Sequence, residues 1–111
     1  MNAYSTIDEV SAQLRYGNSG PEGWGFILWS DRLDDEAPHR PLLERFAAAY
    51  PEAGIKLPSY DRYEDFIGAT AVWKGGMVSI YYETILSYLS LWSPDREAVT
   101  SLRAALLPLV R

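Results

Sequence analysis

Three places in the chain carry side chains able to do chemistry. His39 is the single histidine, set between Pro38 and Arg40 in a polar connection. A general base needs an orienting partner and a nearby substrate group. No sequence neighbour supplies either, so His39 reads as an exposed histidine with no catalytic duty. The second place is Asp31, Asp34, Asp35 and Glu36. Oxygen ligands clustered on a loop are what calcium or magnesium requires, but the spacing departs from the EF-hand pattern and Arg32 interrupts the cluster. It reads as a solvated loop or a helix start, and no metal or other cofactor is expected. The third place is Tyr60-Asp61-Arg62-Tyr63-Glu64-Asp65-Phe66. Tyrosine gives large contact area at low entropic cost and carboxylates add directionality, which is suitable chemistry for gripping a protein. The same aromatics could equally tuck back onto the core. A carboxylate pair for glycoside hydrolysis could be drawn between the second and third places, but sequence sets no distance between them. No G-x-S-x-G elbow or H-E-x-x-H helix occurs, and the glycines of 17–25 do not follow an expected strand as a phosphate-cradling loop should.

Composition narrows the field further. A chain of 111 residues fits one domain over 1–111 and leaves little room for a second core. It is 48% hydrophobic, with four Trp and eight Tyr, enough apolar material to offset chain entropy on folding. The absence of Cys excludes disulfides, thiolate nucleophiles and Cys-rich zinc sites, and suits a reducing compartment; the cytoplasm is the expected location. Residues 1–14 lack the charge and apolar block of an export signal, and no run is long enough to span a membrane. Fifteen acidic against ten basic side chains give a formal charge of −5. That charge opposes attraction to phosphate backbones and anionic lipid, so neither nucleic acid nor membrane is an expected partner, whereas a basic protein would be drawn in.

These groups need elements to position them. Thr6 and Glu9 match a capping box, and Ile7, Val10 and Leu14 recur at helical spacing, which predicts a helix over 7–16. Residues 17–23 form a loop, and Trp24 to Ser30 reads as a buried strand. Pro41 opens a second helix along Leu43, Phe46, Ala47 and Tyr50, stopped by Pro51, and 51–65 is an irregular loop. Lys74-Gly75-Gly76-Met77 predicts a hairpin turning at the two glycines, with strands 69–74 and 77–82 and Trp73 opposite Val78, Ala71 opposite Ile80, and Ala69 opposite Tyr82. A third strand follows over 85–92. A last helix, capped by Ser93 with Pro94 first, should end near Leu107 before Pro108. Trp24, Trp29, Trp73 and Trp92 are expected more in the core than in contacts.

The resulting plan is α+β: an antiparallel sheet made of the hairpin, a third meander strand and an N-terminal strand, packed against two to three helices. Within it, Val72-Trp73-Lys74-Gly75-Gly76, Ile80-Tyr81-Tyr82 and Leu89-Ser90-Leu91-Trp92-Ser93-Pro94-Asp95 resemble small bacterial immunity proteins of polymorphic toxin systems. The resemblance spans the C-terminal half. It implies a short, acidic, cytoplasmic protein without catalytic motifs that binds a cognate toxin domain and blocks its active site. It transfers no individual site residues. The reading of the residues themselves expects a binding protein whose partner is a basic protein, met by Asp31, Asp34, Asp35, Tyr60, Asp61, Tyr63, Glu64 and Asp65; the resemblance implies that this partner is a toxin domain. The alternatives are a small enzyme or ligand-binding domain with a pocket between sheet and helices near His39 and the acidic loop, or a homo-oligomeric adaptor subunit, for instance a homodimer.

Overall fold

The computed structural model describes residues 3–16, 18–59 and 66–110. The described elements are β1 (Thr6–Ile7), β2 (Ser11–Leu14), β3 (Glu22–Trp29), α1 (His39–Ala49), β4 (Phe66–Trp73), β5 (Gly76–Glu83), β6 (Tyr88–Ser93) and α2 (Arg96–Val110), with short 3-10 turns at Asp34–Glu36 and Pro51–Ala53. The six strands form one antiparallel sheet in the order β1-β3-β6-β5-β4, with β2 also pairing with β3. The expected α+β architecture is present, with two α-helices.

The helix predicted over 7–16 is instead the broken strand β1–β2. A strand as long as β3 presents a full row of backbone donors and acceptors on each side. β6 takes one side, and the N-terminal segment takes the other, pairing Ile7 with Leu28 and Ala12 with Trp24. At the break between them, Asp8 N donates to Ile27 O at 2.9 Å, and Arg103 of α2 reaches across to Asp8 O at 2.9 Å and Glu9 Oε1 at 3.6 Å. Glu9 therefore closes no capping box.

Alternation divides the sheet. Phe26, Leu28, Ala71, Trp73, Val78, Ile80, Tyr82, Leu89 and Leu91 are buried on one face and join Leu42, Leu43, Phe46, Val99, Leu102 and Leu106 of the helices in one core cluster. Phe46 packs against Trp73, the rings tilted by 43° with centroids 5.3 Å apart, which brings α1 to the end of β4. In α2, Ala98, Val99, Leu102, Leu106 and Val110 repeat every three or four residues and are buried, the stripe a sheet-packed helix needs. Its cap lies later than predicted. Asp95 Oδ1 accepts from Glu97 N at 3.0 Å, while Ser93 Oγ accepts from Asp95 N at 3.1 Å in a preceding turn. The helix also runs through Pro108 to Val110.

The hairpin turns one residue earlier than predicted. Lys74 and Gly75 occupy the turn with φ of 53° and 78°, the left-handed pair that a two-residue turn requires. Trp73 therefore faces Gly76, Ala71 faces Val78 and Ala69 faces Ile80. The register is shifted by two residues, so every side chain keeps its predicted face. The third strand begins at Tyr88 rather than Ile85, because 84–87 make the turn out of β5.

Candidate functional site on the helix-free sheet face

Opposite the helices, the sheet carries a row of aromatic rings. Trp29 on β3 lies 5.4 Å from Tyr88 on β6, Tyr88 lies 6.0 Å from Tyr81 on β5, and Tyr81 lies 6.1 Å from Phe66 on β4, measured between centroids. Direct pairing of Trp29 with Tyr88 starts the row, and diagonal neighbours across β6, β5 and β4 continue it. Cross-strand aromatic neighbours of this kind stabilise a sheet, yet Trp29, Tyr81 and Phe66 remain exposed. The Tyr88 hydroxyl is held above the ordinary tyrosine pKa, first by burial within the row and then by Tyr81 and Glu83 beside it.

The row ends on a loop cluster built from backbone hydrogen bonds. Ser30 N donates to Ser87 O at 2.9 Å and Asp34 N to Thr84 O at 3.0 Å, which ties the acidic loop after β3 to the turn between β5 and β6. Glu83 Oε1 accepts from Ile85 N at 2.7 Å and Leu86 N at 3.0 Å, so the carboxylate shapes the turn it precedes. The turn thereby holds two large apolar side chains in solvent, Ile85 at 55% and Leu86 at 69% exposure; Leu33, in the loop bonded to this turn, is 48% exposed, and Phe66, paired with Glu83 across β4 and β5, is 62% exposed. Asp31, Asp34 and Glu36 are exposed on the same loop.

Of the residues expected to make contacts, Asp31 and Asp34 lie on this surface. Asp35 occupies the middle of the 3-10 turn. Tyr60, Asp61, Tyr63, Glu64 and Asp65 lie outside the described residues, directly before Phe66 in the sequence. Reasoning from sequence missed Trp29, Tyr88, Ile85 and Leu86 as surface groups. The available signal was the alternation of β6, which sends Tyr88 and Ser90 away from Leu89 and Leu91. Of the tryptophans, Trp73 and Trp92 are buried as expected, Trp24 is half-buried beneath the Arg96 guanidinium at 4.7 Å, and Trp29 is exposed. Among the described residues, no three of the Asp, Glu and His side chains gather as a metal site would require.

His39 does not behave as the sequence suggested. It is fully buried at the first turn of α1, between the rings of Tyr4 and Tyr82. The Tyr4 hydroxyl lies 2.9 Å from Nδ1 and Ser87 Oγ lies 3.1 Å from Nε2. Ser87 Oγ donates its own proton to Arg32 O. It must therefore accept from Nε2–H, which leaves Nδ1 to accept from Tyr4. All members of this chain are neutral, and burial lowers the His39 pKa to about 4. A group so enclosed has no route to a substrate. It fastens the N-terminal segment, α1 and the β5–β6 turn, which carries Ile85 and Leu86, to one another.

No protein-family model, curated protein or solved structure matches the chain.

Proposed function

We propose that this chain is a protein-binding domain, and that it works in the bacterial cytoplasm as an immunity protein that covers a basic toxin domain. The observation that carries the reading is the set of exposed apolar side chains Trp29, Leu33, Phe66, Ile85 and Leu86 on neighbouring strand ends and hydrogen-bonded loops that also carry Asp31, Asp34, Glu36 and Glu83. Large apolar side chains held together in water mark interaction surfaces. Aromatic and aliphatic anchors inside a charged rim have the anatomy of a protein interface, in which the anchors set the lifetime of the complex and the rim sets the rate of encounter. An acidic rim on a chain of net charge −5 selects a basic surface. The toxin-binding role itself comes from the resemblance of the C-terminal half to immunity proteins.

The experiment pairs the purified chain with the products of the genes that flank its own, and measures binding by calorimetry and rescue of cells expressing any of them that is toxic. Leu86→Asp and Phe66→Asp should each weaken the complex at least about tenfold, a loss of roughly 1.4 kcal/mol, and should reduce rescue. Wild-type affinity in both folded variants would remove these apolar side chains from the interface. Failure of the wild-type chain to bind or to rescue would remove the immunity reading.

A further inference from the structure

The helix-free face also contains a groove of about 910 Å³, within the roughly 300–1,000 Å³ usual for small-molecule sites. Its floor is made of short side chains, Gly68 and Thr70 on β4, Ser79 on β5 and Ser90 on β6, and the aromatic row supplies one wall through Trp29, Tyr81 and Tyr88. A Cβ built on Gly68 would meet nothing within 4 Å, so the hollow above it is real space. The floor presents hydroxyls, and the wall presents rings able to stack on a planar ligand.

Charge decides what that ligand is. The chain carries fifteen acidic side chains, yet no described carboxylate lines the groove, while Arg15 and Lys56 both do. Arg15 lies over the rings of Tyr16 and Trp92, 5.2 and 5.8 Å from their centroids, and lines the groove. A guanidinium seated on two rings is held in place, and its planar fork matches a carboxylate or phosphate. We propose that the groove is a binding site for a small planar organic anion, its ring against Trp29 and Tyr88 and its carboxylate or phosphate held by Arg15 and Lys56. The site stands on a different observation from the protein interface, although Trp29 borders both.

The test is calorimetric titration of the full chain with indole-3-acetate, 4-hydroxybenzoate and adenosine 5′-monophosphate, each set against its uncharged counterpart, indole-3-ethanol, 4-hydroxybenzyl alcohol and adenosine. At least one anion should bind with Kd below about 1 mM and at least about tenfold more tightly than its counterpart; which of the three does so separates carboxylate from phosphate ligands. Arg15→Gln should abolish that preference, Lys56→Gln, an exposed change, should reduce it, and Gly68→Leu should block binding while melting like wild type. No binding by any of the three anions at millimolar concentration would overturn the proposal, as would equal binding of anion and counterpart, or a preference that survives both charge-removing substitutions.

Discussion

Individual residues in this fold are set by what surrounds them, and His39 is the plainest case. Its sequence neighbours, Pro38 and Arg40, describe a polar connection, whereas its partners Tyr4 and Ser87 are distant in sequence and met only in the folded chain. Nothing local could announce the burial. The consequence is a dependence on pH. Burial depresses the folded pKa to about 4 from the ordinary 6.5, so the unfolded chain binds more protons between those values. Stability should be full above about pH 6.5 and fall as pH drops towards 4, by on the order of 3 kcal/mol. Chemical denaturation of wild type and His39→Gln at pH 7 and 4.5 checks this. The difference between the two pH values should shrink in the variant, which has no imidazole to charge. At the hairpin, Lys74 bears a left-handed φ that asparagine tolerates better. Lys74→Asn should raise the melting temperature, while Gly75→Val should cost about 1–3 kcal/mol. Gly76, named by the sequence as a turn residue, is constrained differently, since an added Cβ would stand 3.0 Å from that of Ala98 on α2.

The elements were legible wherever pattern and backbone demand agree. Two glycines after Lys74 announced the hairpin, and the two-residue error in register left Ile80 inside and Ser79 outside; an error of one would have turned one strand's side chains to the wrong face. Ile80→Ala should therefore cost about 2–5 kcal/mol and Ser79→Ala little; equal losses in denaturant melts of the two variants would contradict the observed faces. The N-terminal segment shows where pattern fails. Ile7, Val10 and Leu14 fit a helix, but Val10, Ala12 and Leu14 equally fit a strand. The choice was made by the open side of β3, which no window of local sequence contains. Pro108 likewise reads as a stop, yet it falls in the final turn of α2, where the lost hydrogen bond belongs to an end that frays in any case.

For the whole molecule, what the sequence could not supply was strand order. It identified Asp31 and Asp34 as surface carboxylates by composition, but Trp29 meets Tyr88, and the acidic loop meets Ile85 and Leu86, only because β3 lies beside β6. If this end of the sheet receives a basic partner, reversing Asp31 and Asp34 to Lys should slow association several-fold and leave dissociation nearly unchanged. Added salt should slow wild-type association more than that of the double variant. Stopped-flow kinetics at low and moderate ionic strength give both numbers; identical salt dependence for the two proteins would place the carboxylates outside the encounter surface. The pairing of β3 with β6 has one more effect, which concerns how the chain assembles. β4, β5 and β6 are joined by short turns and can form as a meander within microseconds, whereas β3 must return across α1 and the entire β4–β5 hairpin before its ladder closes. Until it arrives, β6 offers a bare backbone edge flanked by Leu89 and Leu91. That interval is where a growing or refolding chain is most open to pairing with another copy of itself, so refolding yield should fall as protein concentration rises.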